Sequence, residues 1–275
     1  MQDLRPGAMP QRRHRTPWLC RLLLVWGALL ACSAAAAARP PGTAPPLLVS
    51  AAVSLGAVLQ RLGPGFQRRL RVAAPQFNLA ASGILQRQIE QGAPVDVFLS
   101  AGDRSMQALE RAGLLRKGSR RRLIGNRLVL VASARQPWIR GFADLASPRI
   151  RRIAIGDRAV PAGDYARQVL QHYGLSATVQ ARLIPLGSVR AVATAVASGS
   201  ADVGFVYRTD AIGIAALRMV ATAPAASHEP IVYSGAVVAR SRQPALAAAY
   251  LDSLASPAAR AAWQRAGFLP LPPGL

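Results

Sequence analysis

Residues 49–55 (VSAAVSL), 77–83 (FNLAASG), 156–163 (GDRAVPAG) and 186–190 (LGSVR) decide the fold of this chain. Each stretch follows an apolar run that predicts a strand, and each ends in small or hydroxyl-bearing residues where a helix is expected to begin. A helix N-terminus has free N–H groups and a partial positive charge, so it favours anions. Several such helix starts in one cleft would hold a small oxyanion through neutral donors, without a buried Lys or Arg as ligand.

Predicted strands and helices alternate along most of the chain. Short apolar runs predict strands, and apolar residues at helical spacing predict helices. The expected strands are residues 47–51, 71–74, 95–100, 127–132, 153–155, 181–185 and 203–206, and the expected helices are residues 55–69, 83–91, 104–112, 164–173 and 189–198. This alternation predicts an α/β fold with parallel sheets, in which ligands bind beyond the carboxyl ends of the strands. The four stretches fall at those ends.

The first 38 residues are expected to be an export signal. Basic residues at positions 12–15 precede an apolar run at residues 22–31, which is too short to span a bilayer well. Small residues at 33–38 then provide a cleavage site. Cys32 ends a LLAC sequence that resembles a bacterial lipobox, so a lipid anchor at Cys32 is the alternative to cleavage after residue 38. Either signal predicts a periplasmic protein.

Composition limits the functions that the remaining domain could have. Both cysteines, Cys20 and Cys32, lie in the leader, so no disulfide is expected after it. The formal net charge is +22, but the basic residues are scattered apart from residues 116–122. No aromatic residues interleave with them for stacking bases. We therefore interpret the charge as compositional and expect no nucleic-acid partner, although a positive field would help to attract a dianion.

Motifs of catalysis are missing after the leader. The part of the chain after the leader has two histidines, His172 and His228, which are far apart in sequence. There is no nucleophile elbow, zinc-protease motif or phosphate-binding loop with lysine. Asp96, Asp157 and Asp202 are separated carboxylates that we interpret as solvated loop residues. The sequence therefore predicts a binding protein without a cofactor, not an enzyme.

The order and spacing of several motifs resemble the periplasmic molybdate-binding proteins of ABC transporters, which have the type II periplasmic binding fold. The motifs are AAVSL at 51–55, ASG at 81–83, RQIEQGAPVDVFLSA at 87–101, GNRLVLV at 125–131, VPAGDYA at 160–166, GFVYRTDA at 204–211 and GFLP at 267–270. The resemblance covers nearly all of the chain after the leader. It implies two lobes with a ligand cleft between them. It also implies a monomer that carries molybdate or tungstate to an inner-membrane permease.

The resemblance also implies the residues that bind the oxyanion. Ser54 and Ser82 match serines that donate a hydroxyl and a backbone N–H, although either could instead cap its helix. Ala162 and Val189 match positions that donate only a backbone N–H. Tyr207 matches a tyrosine whose hydroxyl reaches the ligand, although it could simply be a buried aromatic residue. Molybdenum would enter only as molybdate, through the same residues.

Two polar residues close to these helix starts bear on the site. Asn78 is a second-tier candidate, because its amide could donate to the ligand or could cap the turn. Asp164 lies one position beyond the expected Ala162–Gly163 helix start, where it favours the helix dipole. It would repel an oxyanion if its side chain turned into the cleft.

The candidate residues divide the chain into two lobes. Lobe one is expected to comprise residues 47–125 and 233–275, and lobe two residues 126–232. Ser54 and Ser82 fall in the first lobe and the other three candidates in the second, so the anion would lie between them. The crossing segments would be residues 126–131 and 231–238, and closure would be a hinge motion.

The chemistry of the predicted cleft narrows the choice of anion. A site with donors and no acceptor favours a fully deprotonated tetrahedral ion over hydrogen phosphate, which needs an acceptor for its proton. Molybdate, tungstate and sulfate all meet this condition. The preference for molybdate or tungstate comes from the resemblance alone. A binding protein for another tetrahedral oxyanion such as sulfate, or a sensory oxyanion-binding domain, is the alternative.

Overall fold

The computed structural model describes residues 45–271, which form two five-stranded sheets covered by helices. The strands are β1 (Leu48–Ala52), β2 (Gln76–Ala80), β3 (Val97–Ser100), β4 (Arg121–Gly125), β5 (Leu128–Ser133), β6 (Ile153–Gly156), β7 (Leu183–Leu186), β8 (Val203–Tyr207), β9 (Leu217–Thr222) and β10 (Val232–Val237). The helices are α1 (Gly56–Leu70), α2 (Ser82–Glu90), α3 (Asp103–Arg111), α4 (Pro161–His172), α5 (Ser176–Val179), α6 (Val189–Ala197), α7 (Arg208–Ala211), α8 (Pro244–Leu254) and α9 (Pro257–Arg265). The predicted export signal, with Cys20 and Cys32, lies outside the described residues.

The two sheets have the same plan. The first sheet has the strand order β2-β1-β3-β10-β4 and the second has the order β7-β6-β8-β5-β9. In each, three strands run parallel and the fourth in the order, β10 or β5, is antiparallel to both of its neighbours. Helices α2, α3 and α8 pack on the first sheet, and α4 and α6 pack on the second. The predicted α/β fold with two lobes is confirmed.

The chain passes between the two lobes twice. The strand β4 ends at Gly125 in the first sheet and β5 begins at Leu128 in the second, while the return runs from the end of β9 at Thr222 to the start of β10 at Val232. The C-terminal helices then complete the first lobe, where α9 packs against α1. No helix within residues 45–271 combines the length and apolar character needed to cross a membrane.

One predicted strand was wrong in position. The sequence predicted a strand at residues 71–74, but pairing begins at Gln76, which aligns with Leu48 of β1. Arg71 has a left-handed backbone, with φ of 53°, and ends α1. Pro75 follows and has no N–H to donate to a neighbouring strand, so regular pairing starts only after it. The strands β4, β9 and β10 and the helices α8 and α9 were not predicted.

One of the three separated carboxylates, Asp96, was misjudged. Asp96 is buried rather than solvated, and it accepts hydrogen bonds from the N–H of Leu48 at 2.9 Å and the hydroxyl of Ser241 at 2.6 Å. Asp157 accepts from a backbone N–H in its own turn at 2.8 Å, and Asp202 accepts from two backbone N–H groups at 2.8 Å. Each carboxylate therefore satisfies backbone donors.

Candidate functional site

The four stretches that open the helices meet in one place. Ser54, Ser82, Val189 and Tyr207 all line a small cavity between the two lobes. The other lining residues are Ala52, Val53, Ala80, Ala81, Ala101, Val160, Pro161 and Ser188. Ala162 follows a lining residue and is fully buried. Residues far apart in sequence are therefore assembled around a single internal space.

The cavity is small. Its volume is about 10 Å³, which is about the space that the centre of one water molecule needs. The lobes must separate to admit a ligand, and in the closed arrangement they would surround it without a shell of water.

Three helix N-termini point their first turns at this region. Ser82 is the first residue of α2, Ala162 the second of α4 and Val189 the first of α6. The first four N–H groups of a helix have no acceptor within that helix. The hydrogen bonds formed among residues 45–271 do not use the N–H of these three residues either. Donors at the positive ends of three helices are thus available to an anion.

Two glycines hold the start of α4 against the end of β6. A Cβ atom added to Gly163 would lie 2.0 Å from the carbonyl oxygen of Gly156, so no larger residue fits. Pro161 begins the helix, where a missing N–H costs nothing. This close contact fixes the N–H of Ala162 at the carboxyl end of the second sheet.

The serine hydroxyls are held by other groups and do not cap their helices. Ser54 lies in a single 3-10 turn (Val53–Leu55), and its Oγ is 3.2 Å from the hydroxyl of Tyr233. The Oγ of Ser82 accepts from the N–H of Ala101 at 3.0 Å. Neither serine makes a side-chain cap, which was the alternative role that the sequence left open. The capping serine in this region is Ser188, whose Oγ accepts from a backbone N–H of α6 at 3.1 Å.

Tyr207 connects the two lobes. It is fully buried at the end of β8, and its hydroxyl donates to the carbonyl oxygen of Ala101 in the first lobe at 2.9 Å. Burial raises the pKa of this phenol well above its usual value, and the nearby Tyr233 raises it further. Tyr207 therefore stays protonated and acts as a donor.

Further contacts hold the lobes together around the cavity. The N–H of Gly83 in α2 donates to the carbonyl oxygen of Ala159 in the second lobe at 2.9 Å. Arg104 forms an ion pair with Asp164 at 3.0 Å. Asp164 is not among the residues that line the cavity, so its carboxylate is engaged outside it. This arrangement is the closed form of a two-lobed molecule.

The electrostatics of the cavity are those of neutral donors. Every residue that lines it is uncharged. Asp210, in α7, has an Oδ2 atom that is shut off from solvent and has no hydrogen-bond partner among residues 45–271. Burial raises the pKa of this carboxyl to about 7, and the positive charge of Arg190 acts in the opposite direction.

Within residues 45–271 no group of three or more metal-ligating side chains occurs.

The structure places one predicted candidate outside the cavity, and two polar residues behind the cavity were not predicted. Asn78 does not line the cavity, and its amide donates to Gln88 at 2.8 Å and to Ser50 at 3.4 Å. Tyr233 and Asn126 lie behind Ser54 and were not singled out. Their hydrogen bonds form only after β10 returns from the second lobe, so no local motif could have indicated them.

Two α/β lobes closed over a small cavity, with helix N-termini aimed at it, define a solute-binding protein. The chain belongs to the bacterial extracellular solute-binding protein family, which it matches over residues 47–269. That membership agrees with the prediction of a binding protein rather than an enzyme.

Relatives and a solved structure support the same assignment. The molybdate-binding protein ModA of Haemophilus influenzae is 34% identical over 69% of this chain and 77% of its own length. A Bacillus subtilis protein, named as a substrate-binding lipoprotein of an ABC transporter, is 32% identical over 81% of this chain and 85% of its own length. The periplasmic molybdate-binding protein of Azotobacter vinelandii matches with a TM-score of 0.73 and 31% identity, over 82% of this chain and 99% of that one.

Proposed function

We propose that this protein binds molybdate or tungstate in the periplasm and delivers it, as a monomer, to an ABC import permease. The observation that carries the proposal is the closed cavity, whose ligand-facing groups are uncharged donors at the starts of three helices. The names of the related molybdate-binding proteins support the choice of ion. The permease is proposed from the same relationship.

The proposed ligands are the hydroxyl and N–H groups of Ser54 and Ser82, the N–H groups of Ala162 and Val189, and the hydroxyl of Tyr207. Hydrogen bonds to an ion are shorter and stronger than those between neutral groups, so several of them can replace the hydration of a dianion. The same set lacks an acceptor for a proton. Hydrogen phosphate would therefore leave its own donor unsatisfied, which costs about 1–3 kcal/mol.

Tyr207 has to change partner to serve as a ligand. Its single O–H is given to Ala101 in the closed form. A phenol has one proton, so it cannot donate to Ala101 and to an oxyanion at once. We propose that the Tyr207 hydroxyl keeps its proton and turns from the carbonyl oxygen of Ala101 to the anion, which accepts the hydrogen bond.

The lobe boundaries are proposed from the path of the chain. Lobe one would comprise residues 47–125 and 233–275, and lobe two residues 126–232. The two passages between the sheets, at residues 126–127 and 223–231, would act as the hinge. Contacts such as the Gly83 N–H to Ala159 bond would form on closing.

The location is proposed from the leader. The chain would be exported, and Cys32 would either be lipidated or be removed with the signal. The Bacillus relative that is named as a lipoprotein favours an anchor. Expression of the full chain followed by mass spectrometry distinguishes the two: a mature N-terminus near Arg39 without lipid would exclude the anchor. If the anchor exists, Cys32→Ala should release the protein from membranes.

Titration calorimetry on the mature protein tests the proposed ligand. We expect tight binding of molybdate and tungstate, weaker binding of sulfate and barely detectable binding of phosphate. The Ser54→Ala/Ser82→Ala double variant tests the proposed site, and it should lose most of its affinity for molybdate. Equal affinity for sulfate and molybdate would contradict the selectivity and favour a general tetrahedral-oxyanion binder. Unchanged affinity in the double variant would contradict the site.

A further inference from the structure

A chain of hydrogen bonds lies directly behind the cavity. Asn126 donates through Nδ2 to the hydroxyl of Thr209 at 2.9 Å and to the hydroxyl of Tyr233 at 3.2 Å. Tyr233 in turn lies 3.2 Å from the Oγ of Ser54, which lines the cavity. Tyr233 is fully buried and Asn126 is nearly so, at 8% exposed. The chain therefore links the wall of the cavity to both passages between the lobes.

The orientation of the Asn126 amide sets the direction of its own hydrogen bonds. The Oδ1 atom of Asn126 accepts the N–H of Arg127 at 2.9 Å, so the other amide atom, Nδ2, is the donor. Its two protons go to Thr209 and Tyr233, and the oxygen of Tyr233 therefore accepts. Either hydroxyl could donate in the 3.2 Å contact between Tyr233 and Ser54, but within residues 45–271 the Oγ of Ser54 is the acceptor within reach of the phenolic proton, which favours Tyr233 as the donor.

A second consequence concerns the proton of Ser54. If its Oγ accepts from Tyr233, its own O–H is free to turn toward the cavity. Ser82 is in the same condition, since its Oγ accepts from the N–H of Ala101 at 3.0 Å. Both serine hydroxyls on the first-lobe wall are thus free to donate to whatever the cavity holds, and each oxygen keeps one further lone pair.

We propose that Tyr233 is a positioning residue that fixes the hydroxyl of Ser54 as a donor to the bound anion. This inference rests on the proposed function, because it requires an anion in the cavity. It adds a residue that does not touch the ligand and acts through Ser54. The Asn126–Tyr233–Ser54 chain also ties a residue of the passage between the lobes to the wall of the cavity.

The protonation state of Tyr233 agrees with this role. Burial raises its pKa well above the usual value, and the charge of Asp210 raises it further, while its hydrogen bonds with Ser54 and Asn126 act in the opposite direction. The phenol therefore keeps its proton over the whole pH range in which the protein would bind its ligand.

Tyr233→Phe removes the hydroxyl and keeps the ring. Tyr250→Phe is the matched control, because Tyr250 is a buried tyrosine of the first lobe whose hydroxyl has no hydrogen-bond partner and does not line the cavity. We expect Tyr233→Phe to weaken molybdate binding about three- to tenfold, in keeping with one lost hydrogen bond. Tyr250→Phe should change the affinity less than about twofold.

A double-mutant cycle separates positioning from general damage. If Tyr233 acts through Ser54, Tyr233→Phe should have little effect, less than about twofold, once Ser54 is already alanine. A merely structural role for Tyr233 would give the same loss in both backgrounds, and that additive result would overturn the proposal. Should Tyr233→Phe fail to fold, the same cycle is run with Asn126→Ala, for which we expect a smaller loss with the same non-additivity.

The cycle is measured with whichever of molybdate or sulfate the wild-type protein binds more tightly. Tight binding of sulfate alone would overturn the proposed choice of ion and still test the positioning role. Binding with an additive cycle would overturn only the role of Tyr233. If the wild-type protein binds neither ion, the proposed function fails and the inference fails with it.

Discussion

Replacing Ser82 with alanine tests the contribution of a single hydroxyl to anion binding. Ser82 begins α2, its side chain lines the cavity, and its Oγ already accepts the N–H of Ala101 at 3.0 Å. The substitution removes the hydroxyl proton that would point at the anion but keeps the backbone N–H. It also leaves the N–H of Ala101 without its acceptor, so some stability should be lost as well.

The expected loss follows from the charge on the ligand. A hydrogen bond to a charged group contributes about 1.5–3 kcal/mol, which corresponds to a loss of about 10- to 150-fold in affinity. The lower end is more realistic, because the other donors remain in place and water can enter the vacated space. The unfolding free energy should fall by about 1–3 kcal/mol for the unsatisfied buried N–H.

Ser100→Ala is the matched control. Ser100 is fully buried in β3, and its Oγ donates to the carbonyl oxygen of Gly102 at 2.7 Å, but it does not line the cavity. Both variants lose one buried hydrogen bond, so both should be less stable by thermal denaturation. Calorimetry should show weakened molybdate binding only for Ser82→Ala. Equal affinities for the two variants would refute the assignment of Ser82 as a ligand.

Three further predictions concern closure, backbone donors and pH. Gly83→Ala should weaken binding by more than about tenfold, because its Cβ would lie 2.8 Å from the backbone of Ala159 and obstruct closing. The control is Gly63→Ala, whose Cβ meets nothing within 4 Å and which should bind normally. Equal affinities of the two variants in calorimetry would contradict this role of Gly83. Val189→Ala should bind nearly as tightly as wild type by the same measurement, since its donor is the backbone N–H, and a loss above about tenfold would contradict that role. Because the pKa of Asp210 is about 7 in the folded state against 3.8 ordinarily, ionisation costs stability as pH rises from 3.8 to about 7. The stability advantage of Asp210→Asn over wild type in thermal denaturation should therefore grow from about pH 4 to about pH 7 and level off above it, and a constant difference would contradict the shift.

The sequence predicted the features that depend on neighbouring residues. Apolar runs followed by small and hydroxyl residues indicated the strand ends and helix starts, and the positions of α2, α4 and α6 follow them closely. The parallel arrangement and the binding edge followed from the alternation of strands and helices. The resemblance then supplied the choice among anions, which no local pattern contained.

The sequence could not predict the features that depend on tertiary contacts. The strand expected at residues 71–74 was displaced because a left-handed Arg71 and Pro75 delay pairing, although the apolar pattern looked suitable. Strand β10 lies between β3 and β4 in the first sheet, yet it follows all the strands of the second sheet along the chain. Tyr233, which belongs to that strand, could be connected with Ser54 only through the folded structure.

Crystals of the mature protein grown with molybdate would test the central claim most directly, by anomalous diffraction at the molybdenum absorption edge. The account predicts one strong peak in the cavity between the lobes, with the oxygens of the ion within about 3 Å of the serine hydroxyls and the N–H groups of Ala162 and Val189. A peak at the basic residues of the 116–122 segment, or no peak in the cavity, would contradict the account.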